Sequence, residues 1–396
     1  MHLVIMAAGE GSRMRPFTDT TPKPLIQICG KTIIEHNIEP IIELFEDIYL
    51  IVRYKKECFS AYFGDSYKWK KIHYIEQGEQ SGTGAAILSL DNNIEGDFII
   101  VSGDDLYDSE DIIKLTQQPG YATLVKQVEN PELFGIFTCD TNWKATGIVE
   151  KPTDLSIGNL ANIGNHKFDD KIFEMLRSIP LSSRWELEIT DLIHIYIREG
   201  FYSVVEATGR WISIWYPWDL LRANDAIIGW YTEIIDKWAI IEPNVVIKWN
   251  VYLEEWVILK SGTYVEWNVY FGKNCEVGPY THIRWNTNFE ADTRAGSFSE
   301  IKGCYFWKHT IIAQGAVIVD TVAGNNVNFA SGMITTNWRH DNKNIRTMVK
   351  WELVNTGRRK FWVIVGDNSR FGANTTTYPG RIIPTNGTTL PGEIIK

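Results

Sequence analysis

The residues with the clearest chemical use stand at the start of the chain. An apolar run over residues 3–6 stops at Ala7-Ala8-Gly9. Gly11, Ser12, Arg13 and Arg15 follow, and Lys23 stands between Pro22 and Pro24. A strand that ends in small residues lets backbone N–H groups come close to a ligand, and the nearby cations suit a polyphosphate. No Gly-Lys-Ser/Thr follows, so this is not the phosphate loop of ATPases. The later glycines are misplaced for a dinucleotide fingerprint. A Gly-rich turn carrying surface cations is the other reading of the glycines. The two restricted φ angles flanking Lys23 weigh against it.

Elements must hold such a loop. Over the first ~225 residues, short apolar runs at 3–6, 48–52, 98–101, 121–125 and 147–149 alternate with helical patterns at 34–44, 84–90, 171–179 and 189–199. Strands alternating with helices predict a mostly parallel sheet in a layered α/β domain, with ligands at the carboxyl ends of its strands. The chain has 396 residues, too many for one ordinary core. Its net charge of -10 argues against a nucleic-acid footprint. No apolar run approaches the ~18 residues of a membrane span, and residue 2 leads directly into a strand with no signal peptide before it. Five scattered cysteines without metal-type spacing fit a reduced, cytoplasmic protein.

Past residue 238 a period of six takes over. Ile241, Ile247, Leu253, Leu259, Val265, Phe271, Val277, Ile283, Phe289, Ala295 and Ile301 are all apolar. Small or β-branched residues stand mostly four places after each, and polar residues, Gly or Asn lie between. This is a β-solenoid pattern, in which short strands wind round a triangular core. The register returns at Val317, Ala323 and Phe329, and again at Val365, Phe371, Thr377 and Ile383. A polar insertion at about 337–360 interrupts it and leaves the solenoid as a loop. The expected division is a nucleotide-binding domain over 1–226, a linker over 227–240, and the solenoid over 241–396.

G-x-G-S-R-M-x-P followed by P-K-P resembles the signature of sugar-1-phosphate nucleotidylyltransferases. The hexapeptide repeat resembles the left-handed parallel β-helix of acyltransferases. Together with VNFASG, TTNWRHDNKNI and LVNTGRRKF, the resemblance to bifunctional uridylyltransferase/acetyltransferases covers nearly the whole chain. It implies a Rossmann-like α/β domain followed by a left-handed parallel β-helix, trimerisation through that helix, and transfer of a nucleotidyl group from UTP or dTTP to a hexose 1-phosphate. N-acetylglucosamine 1-phosphate is the expected acceptor. Arg13 and Lys23 would hold the triphosphate, beside Ala7, Ala8 and Gly9. Gln77 with Gly82 and Thr83 resembles the base-reading loop, since an amide can pair with the edge of uracil or thymine. Asp104, in Ser102-Gly103-Asp104-Asp105, matches the metal motif; a strand-end carboxylate can hold Mg²⁺ with few protein ligands. The alternative for Asp105 is a helix N-cap. Gly135, Glu150, Lys151 and Asn162 match the sugar-side motifs. Glu188 and Asp191 fit a further family segment, or simply a helix N-terminus.

Departures are equally legible. Ser213 stands where the family often has a second carboxylate for Mg²⁺, and a hydroxyl is a poorer ligand. In the acetyl-transfer half, with acetyl-CoA as donor, Gln314 stands where a His would act as base, and Val317 where an aromatic is expected. An amide takes no proton at neutral pH. His309 and Asn337 are the remaining candidates there. A bifunctional enzyme, a thymidylyltransferase and a non-catalytic nucleotide-sugar-binding paralogue are the alternatives.

The 16 tryptophans are oddly distributed. Trp249, Trp267 and Trp285 precede Asn at solenoid corners. Trp256 falls where neighbouring repeats have Asn or Gly, a left-handed position that costs other residues roughly 1–2 kcal/mol. Trp143, Trp185, Trp215, Trp351 and Trp362 stand where the family pattern would have Gly. A sugar-stacking surface is one reading and plain exposed aromatics are another. A third is a gene whose UGA codons specify Gly but were read as Trp. Trp211 and Trp218 lie where the family is aromatic and are expected to be UGG.

Overall fold

The computed structural model describes residues 1–182 and 184–396. Its Cα positions fall into two compact units. One comprises Met1–Glu10 and Ile33–Ser213, the other Gly11–Thr32 and Ile214–Lys396.

The first unit is built on a ten-stranded sheet. Strands β1 (His2–Ala7), β2 (Ile48–Val52) and β3 (Lys70–Glu76) run parallel, and β4 (Phe98–Ser102) lies parallel on the other side of β1. These inner strands are near-continuous apolar runs because both faces are covered; all five residues of β2 are buried. Leu106–Tyr107 forms β5, and Tyr121–Gln127, Gly135–Cys139, Ala145–Glu150, Leu160–Phe168, Tyr202–Glu206 and Trp211–Ile212 form β6 to β11. The sheet order is β8-β7-β9-β4-β1-β2-β3, the short strand Ser66–Tyr67 lies antiparallel beyond β3 as the tenth, and β6 pairs with both β9 and β10. The order reverses at β1, so the topological switch point lies at its carboxyl end, at Ala7-Ala8-Gly9. The expected strands are all present. The helix expected over 34–44 stops after Ile33–Ile38, because Pro40 has no N–H to continue it, and the chain resumes as a 3-10 turn at Ile42–Leu44. The other expected helices are Thr83–Leu88, Ile172–Ser178 and Ile189–Arg198, as the periodicity predicts, and Lys56–Phe63 and Ser109–Thr116 are helices beyond those expected.

In the second unit the chain coils through three parallel sheets of eight, six and eight strands, the left-handed β-helix the hexapeptide repeat predicts. Leu253, Leu259, Val265, Phe271, Val277, Ile283, Phe289, Ala295 and Ile301 all point inward at 3 % exposure or less. Ile241, at 39 %, lies on the first coil, where no earlier coil covers it. Early coils repeat every 18 residues, as Val251 pairs with Val269 and Val269 with Thr287. Later coils are one residue shorter, since Ile283 pairs with Ile301 but Ile301 with Ile318. The corner at Gly303 (φ 58) and Asp320 (φ 45) takes up the deletion. The core position is therefore Ile318, fully buried, and Val317 of the expected register lies one place off it. The insertion contains a β-hairpin, Arg346–Val349 against Glu352–Asn355, tied at its base by a bridge between Trp338 and Lys360.

Seven tryptophans occupy left-handed backbone: Trp69, Trp143, Trp185, Trp256, Trp267, Trp285 and Trp351, with φ between 58 and 72. At the corners of Trp267 and Trp285 the positive φ falls on the tryptophan and not on the following Asn. Trp215, Trp249 and Trp362 have no positive φ, and Trp362 is fully buried with its indole N–H on the Thr377 carbonyl at 3.3 Å.

Candidate active site

In the first unit the ends of β1 and β4 form the centre of the site. Met6 pairs with Ser102, and the Gly103 N–H donates to the Met6 carbonyl at 3.0 Å. Asp104 therefore stands beside the Ala7-Ala8-Gly9 end of β1. Nothing lies within 4 Å of where a Cβ on Gly9 would sit, so this end is open to a ligand. The Ser102 hydroxyl donates to Asp104 Oδ1 at 2.6 Å, which orients the carboxylate. Asn165 Oδ1 accepts the Ser102 N–H at 3.0 Å, while its buried amide nitrogen has no partner. Ser102 opens the motif but has no role in the sequence reading, and Asn165 carries no sequence signal because it arrives from β9.

Asp105 caps no helix. It is buried and accepts the Trp211 indole N–H at 3.1 Å, while Asp108 caps the helix Ser109–Thr116 by accepting the Glu110 N–H. Ile212 pairs with Leu106 across the β5–β11 ladder, so Ser213 follows directly, alongside the Asp104-Asp105 segment. Burial, and then Asp105 and Asp104, push the Tyr107 hydroxyl well above its usual range; it donates to the Ile163 carbonyl at 2.8 Å. No group of three or more His, Cys, Asp or Glu that could hold a metal occurs among the described residues. One strand-end carboxylate beside hydroxyls is a poor set for zinc. It fits Mg²⁺, which keeps waters and takes phosphate oxygens in its remaining positions.

Gln77 follows β3, and its side-chain N–H groups donate to the carbonyls of Gln80 at 2.9 Å and Gly82 at 3.5 Å. The glycines of this loop have a packing role. A Cβ on Gly82 would overlap the Leu187 carbonyl, and the Gly84 N–H donates to that same oxygen at 2.9 Å. The Thr83 hydroxyl accepts the Ile189 N–H at 3.2 Å. The loop is thus clasped to the segment that opens the helix Ile189–Arg198, where Glu188 pairs with Arg184 at 2.6 Å.

On the sugar side, Gly135 and Glu150 are paired across β7 and β8, and a Cβ on Gly135 would come within 2.9 Å of Glu150 Oε2. The glycine leaves the carboxylate its room. Lys151, with φ 46, donates its N–H to the Phe134 carbonyl at 2.9 Å and stands 4.0 Å from Glu150. Phe134 meets Trp211 edge to face at 5.5 Å, joining this strand pair to β11. Asn162 lies where the β9 ladder is irregular, and its Oδ1 accepts the Gly164 N–H at 3.0 Å.

Arg13 and Lys23 belong to the second unit. Gly11 takes φ 61, with the Thr18 methyl 3.0 Å and Lys23 Cβ 3.2 Å from where its own Cβ would be. Arg13 is exposed on the 3-10 turn Ser12–Met14, and Lys23 is buried.

The β-helix carries a cavity of about 970 Å³ lined by Arg284, Lys302, Asn337, Trp338, Lys360 and Arg381 among others. The Asn337 amide donates to Asp320 at 2.6 Å. His309 and Gln314 do not line this cavity. His309 is exposed, 3.6 Å from Asp292. His340, which sequence reasoning passed over, does line it.

The nucleotidyl transferase family matches residues 2–228. The bifunctional protein GlmU of Methanocaldococcus jannaschii is 39% identical over 389 residues, 98% of this chain and 92% of that protein. A bifunctional sugar-1-phosphate nucleotidylyltransferase/acetyltransferase of Sulfurisphaera tokodaii is 33% identical over 411 residues, covering 100% and 97%. A solved structure from Bacillus anthracis, assigned to glucose-1-phosphate thymidylyltransferase, aligns with a TM-score of 0.51 at 25% identity, over 57% of this chain and 94% of its own. No helix among the described residues is long and apolar enough to cross a membrane. The chain belongs to the nucleotidyl transferase family, as a sugar-1-phosphate nucleotidylyltransferase continued by a hexapeptide-repeat β-helix.

Proposed function

We propose that the chain transfers a uridylyl or thymidylyl group from UTP or dTTP to a hexose 1-phosphate, with N-acetylglucosamine 1-phosphate as the favoured acceptor. A phosphate oxygen of the sugar attacks the α-phosphorus, the bond to the β-phosphate bridging oxygen breaks, and pyrophosphate leaves. Little covalent chemistry falls to the protein, so positioning and charge neutralisation are the main tasks. The observation that carries this reading is the step from β4 into Asp104 beside the open Ala7-Ala8-Gly9 end of β1.

Arg13 and Lys23 bind the triphosphate and neutralise charge that develops on the leaving pyrophosphate. With Gln77 Nε2 donating to the loop carbonyls, its Oε1 is the acceptor for the imide N–H of uracil or thymine in this reading. Glu150 accepts sugar hydroxyls, Lys151 binds the sugar phosphate, Gly135 leaves them space and Asn162 lines the same side. Asp104, with Ser213 as a neutral neighbour, would hold Mg²⁺, which when bound draws charge off the phosphate oxygens. The residue set calls for no nucleic acid and no membrane, and the reaction belongs in the cytoplasm.

The β-helix cavity favours a second activity, acetyl transfer from acetyl-CoA to glucosamine 1-phosphate, because its cations suit phosphorylated ligands. Gln314 supplies no base for it. Pyrophosphate release from a panel of nucleoside triphosphates and sugar 1-phosphates, with Mg²⁺ and with chelator, tests the main reading. The expected result is turnover with UTP or dTTP that chelator abolishes, and at least a hundredfold loss in Asp104→Asn. No release with any pair would favour the binding paralogue. Consumption of acetyl-CoA with glucosamine 1-phosphate tests the second activity.

A further inference from the structure

The segment Gly11–Thr32, which carries Arg13 and Lys23, clusters with the β-helix and is anchored to it at both ends. Near its start the Phe17 ring packs 4.8 Å from Trp307, and the Thr20 hydroxyl donates to Asp367 Oδ2 at 2.7 Å. Asp367 is buried at 4 % exposure, and its other oxygen accepts the Asn325 N–H at 2.9 Å. Gly366, beside it, has no room for a Cβ, which would lie 2.6 Å from the Thr385 nitrogen and 2.9 Å from Pro16 Cβ. Near the end of the segment the Gly30 N–H donates to Glu290 Oε2 at 3.0 Å. Glu290 is 1 % exposed, and its other oxygen accepts the Asn288 amide at 3.1 Å. A Cβ on Gly30 would overlap the Tyr270 hydroxyl. Lys23 thus lies between the Thr20 and Gly30 anchors, and Arg13 lies just before Pro16.

Two buried carboxylates are a costly way to fasten an arm, since apolar packing would do it without desolvating charge. What carboxylates add is geometry: each accepts from the arm and from the β-helix, Glu290 from the Gly30 N–H and the Asn288 amide, Asp367 from the Thr20 hydroxyl and from both the N–H and the side-chain amide of Asn325, which fixes where the arm runs. We propose that Glu290 and Asp367 are positioning residues for nucleotidyl transfer, setting the arm that presents Arg13 and Lys23 to the triphosphate. The inference rests on the reading that those two cations bind the triphosphate.

Burial raises the Glu290 carboxyl to about 7. Cys29, Tyr231, Tyr270, Cys275, Tyr305, Glu254 and Lys308 are the titratable groups facing it. Between the ordinary carboxylate range and pH 7 the folded chain holds a proton that the unfolded chain has lost. Stability therefore falls as pH rises from the ordinary carboxylate range through about 7, as Glu290 ionises, and is level above that. Only the ionised form accepts from Gly30 and Asn288 together. Turnover should accordingly rise through pH 7 while stability falls, whereas a purely structural latch would move both the same way.

The test is Glu290→Gln in the full chain. An amide has one acceptor and one donor group where two donors must be met. Expected at pH 8 are a loss of about tenfold or more in turnover, an unchanged KM for the sugar phosphate, a thermal midpoint no lower than wild type, and loss of the acid limb near pH 7. Hydrogen–deuterium exchange of residues 11–32 should quicken. Thr20→Val tests the other anchor from the arm and leaves the β-helix core untouched; it should also slow turnover and quicken exchange. Wild-type turnover and pH profile in both variants would overturn the proposal. So would a rate loss matched by a lower thermal midpoint with arm exchange unchanged. Should wild type release no pyrophosphate with any pair, the transfer reading fails. ATP, UTP and dTTP binding and arm exchange in the variants then decide the anchoring, and unchanged values overturn it.

Discussion

Trp256 sits at a β-helix corner with φ 62 and is half exposed. Two further cases are sharper. Lys68-Trp69 has φ 46 and 71 between paired strands, and Lys350-Trp351 has φ 48 and 67 at the tip of the insertion hairpin. Two successive positive φ values make a type I′ turn, whose second place strongly favours Gly. Both tryptophans are almost wholly exposed, at 98% and 95%. A bulky side chain gains nothing in such a place and bears the left-handed penalty. Trp256→Gly should therefore stabilise the chain by about 1 kcal/mol, read as a rise in the urea midpoint. Reading the codons at 69, 143, 185, 256, 267, 285 and 351 would test the same idea, which predicts UGA. UGG at these sites, or a Gly variant that unfolds earlier, would refute it. The buried, hydrogen-bonded Trp362 belongs to a different class of position.

At the scale of elements, the β-helix is a one-dimensional stack in which each coil covers only its neighbours. Phe271, Phe289 and Phe306 form a column inside it, with ring centroids 5.2 and 5.4 Å apart. Phe289→Ala removes the middle ring from a site with no solvent exposure and should cost about 3–5 kcal/mol. Equilibrium urea unfolding measures it, and a change under ~1 kcal/mol would mean that the coils close over the gap. The six-residue period made this element legible along its length. It did not locate the shortened corner at Gly303, because losing one residue at a corner leaves the strands on either side apolar. The core position at Ile318 follows from pairing with Ile301, which is a property of neighbouring coils.

At the scale of the whole molecule, the chain leaves the first unit after Glu10, returns at Ile33 and leaves again after Ser213. A single cut near residue 226 does not describe this, because proximity in sequence says nothing of where a long loop finds its contacts. Association through the β-helix is expected to give three chains per particle. Light scattering on the eluting peak measures this, and a stable monomer at micromolar concentration would count against the trimer.

The motifs Gly9, Asp104, Glu150 and Lys151 and the six-residue repeat could be read from residue order alone. Strand ends, apolar periods and local spacing are short-range properties, and they specify which element each residue belongs to. Tertiary structure alone decided which residues surround them. Asn165 on the Ser102 N–H beside Asp104, the Leu187 carbonyl against Gly82, and the indole of Trp211 on Asp105 all come from distant parts of the chain. The same holds for Glu290 and Asp367 on the segment Gly11–Thr32, where the partners lie 260 and 347 residues apart. Such pairs carry no local signal, because a buried carboxylate looks the same in sequence as one on the surface. Only the packing that desolvates it, and the donors that packing brings, give it a role.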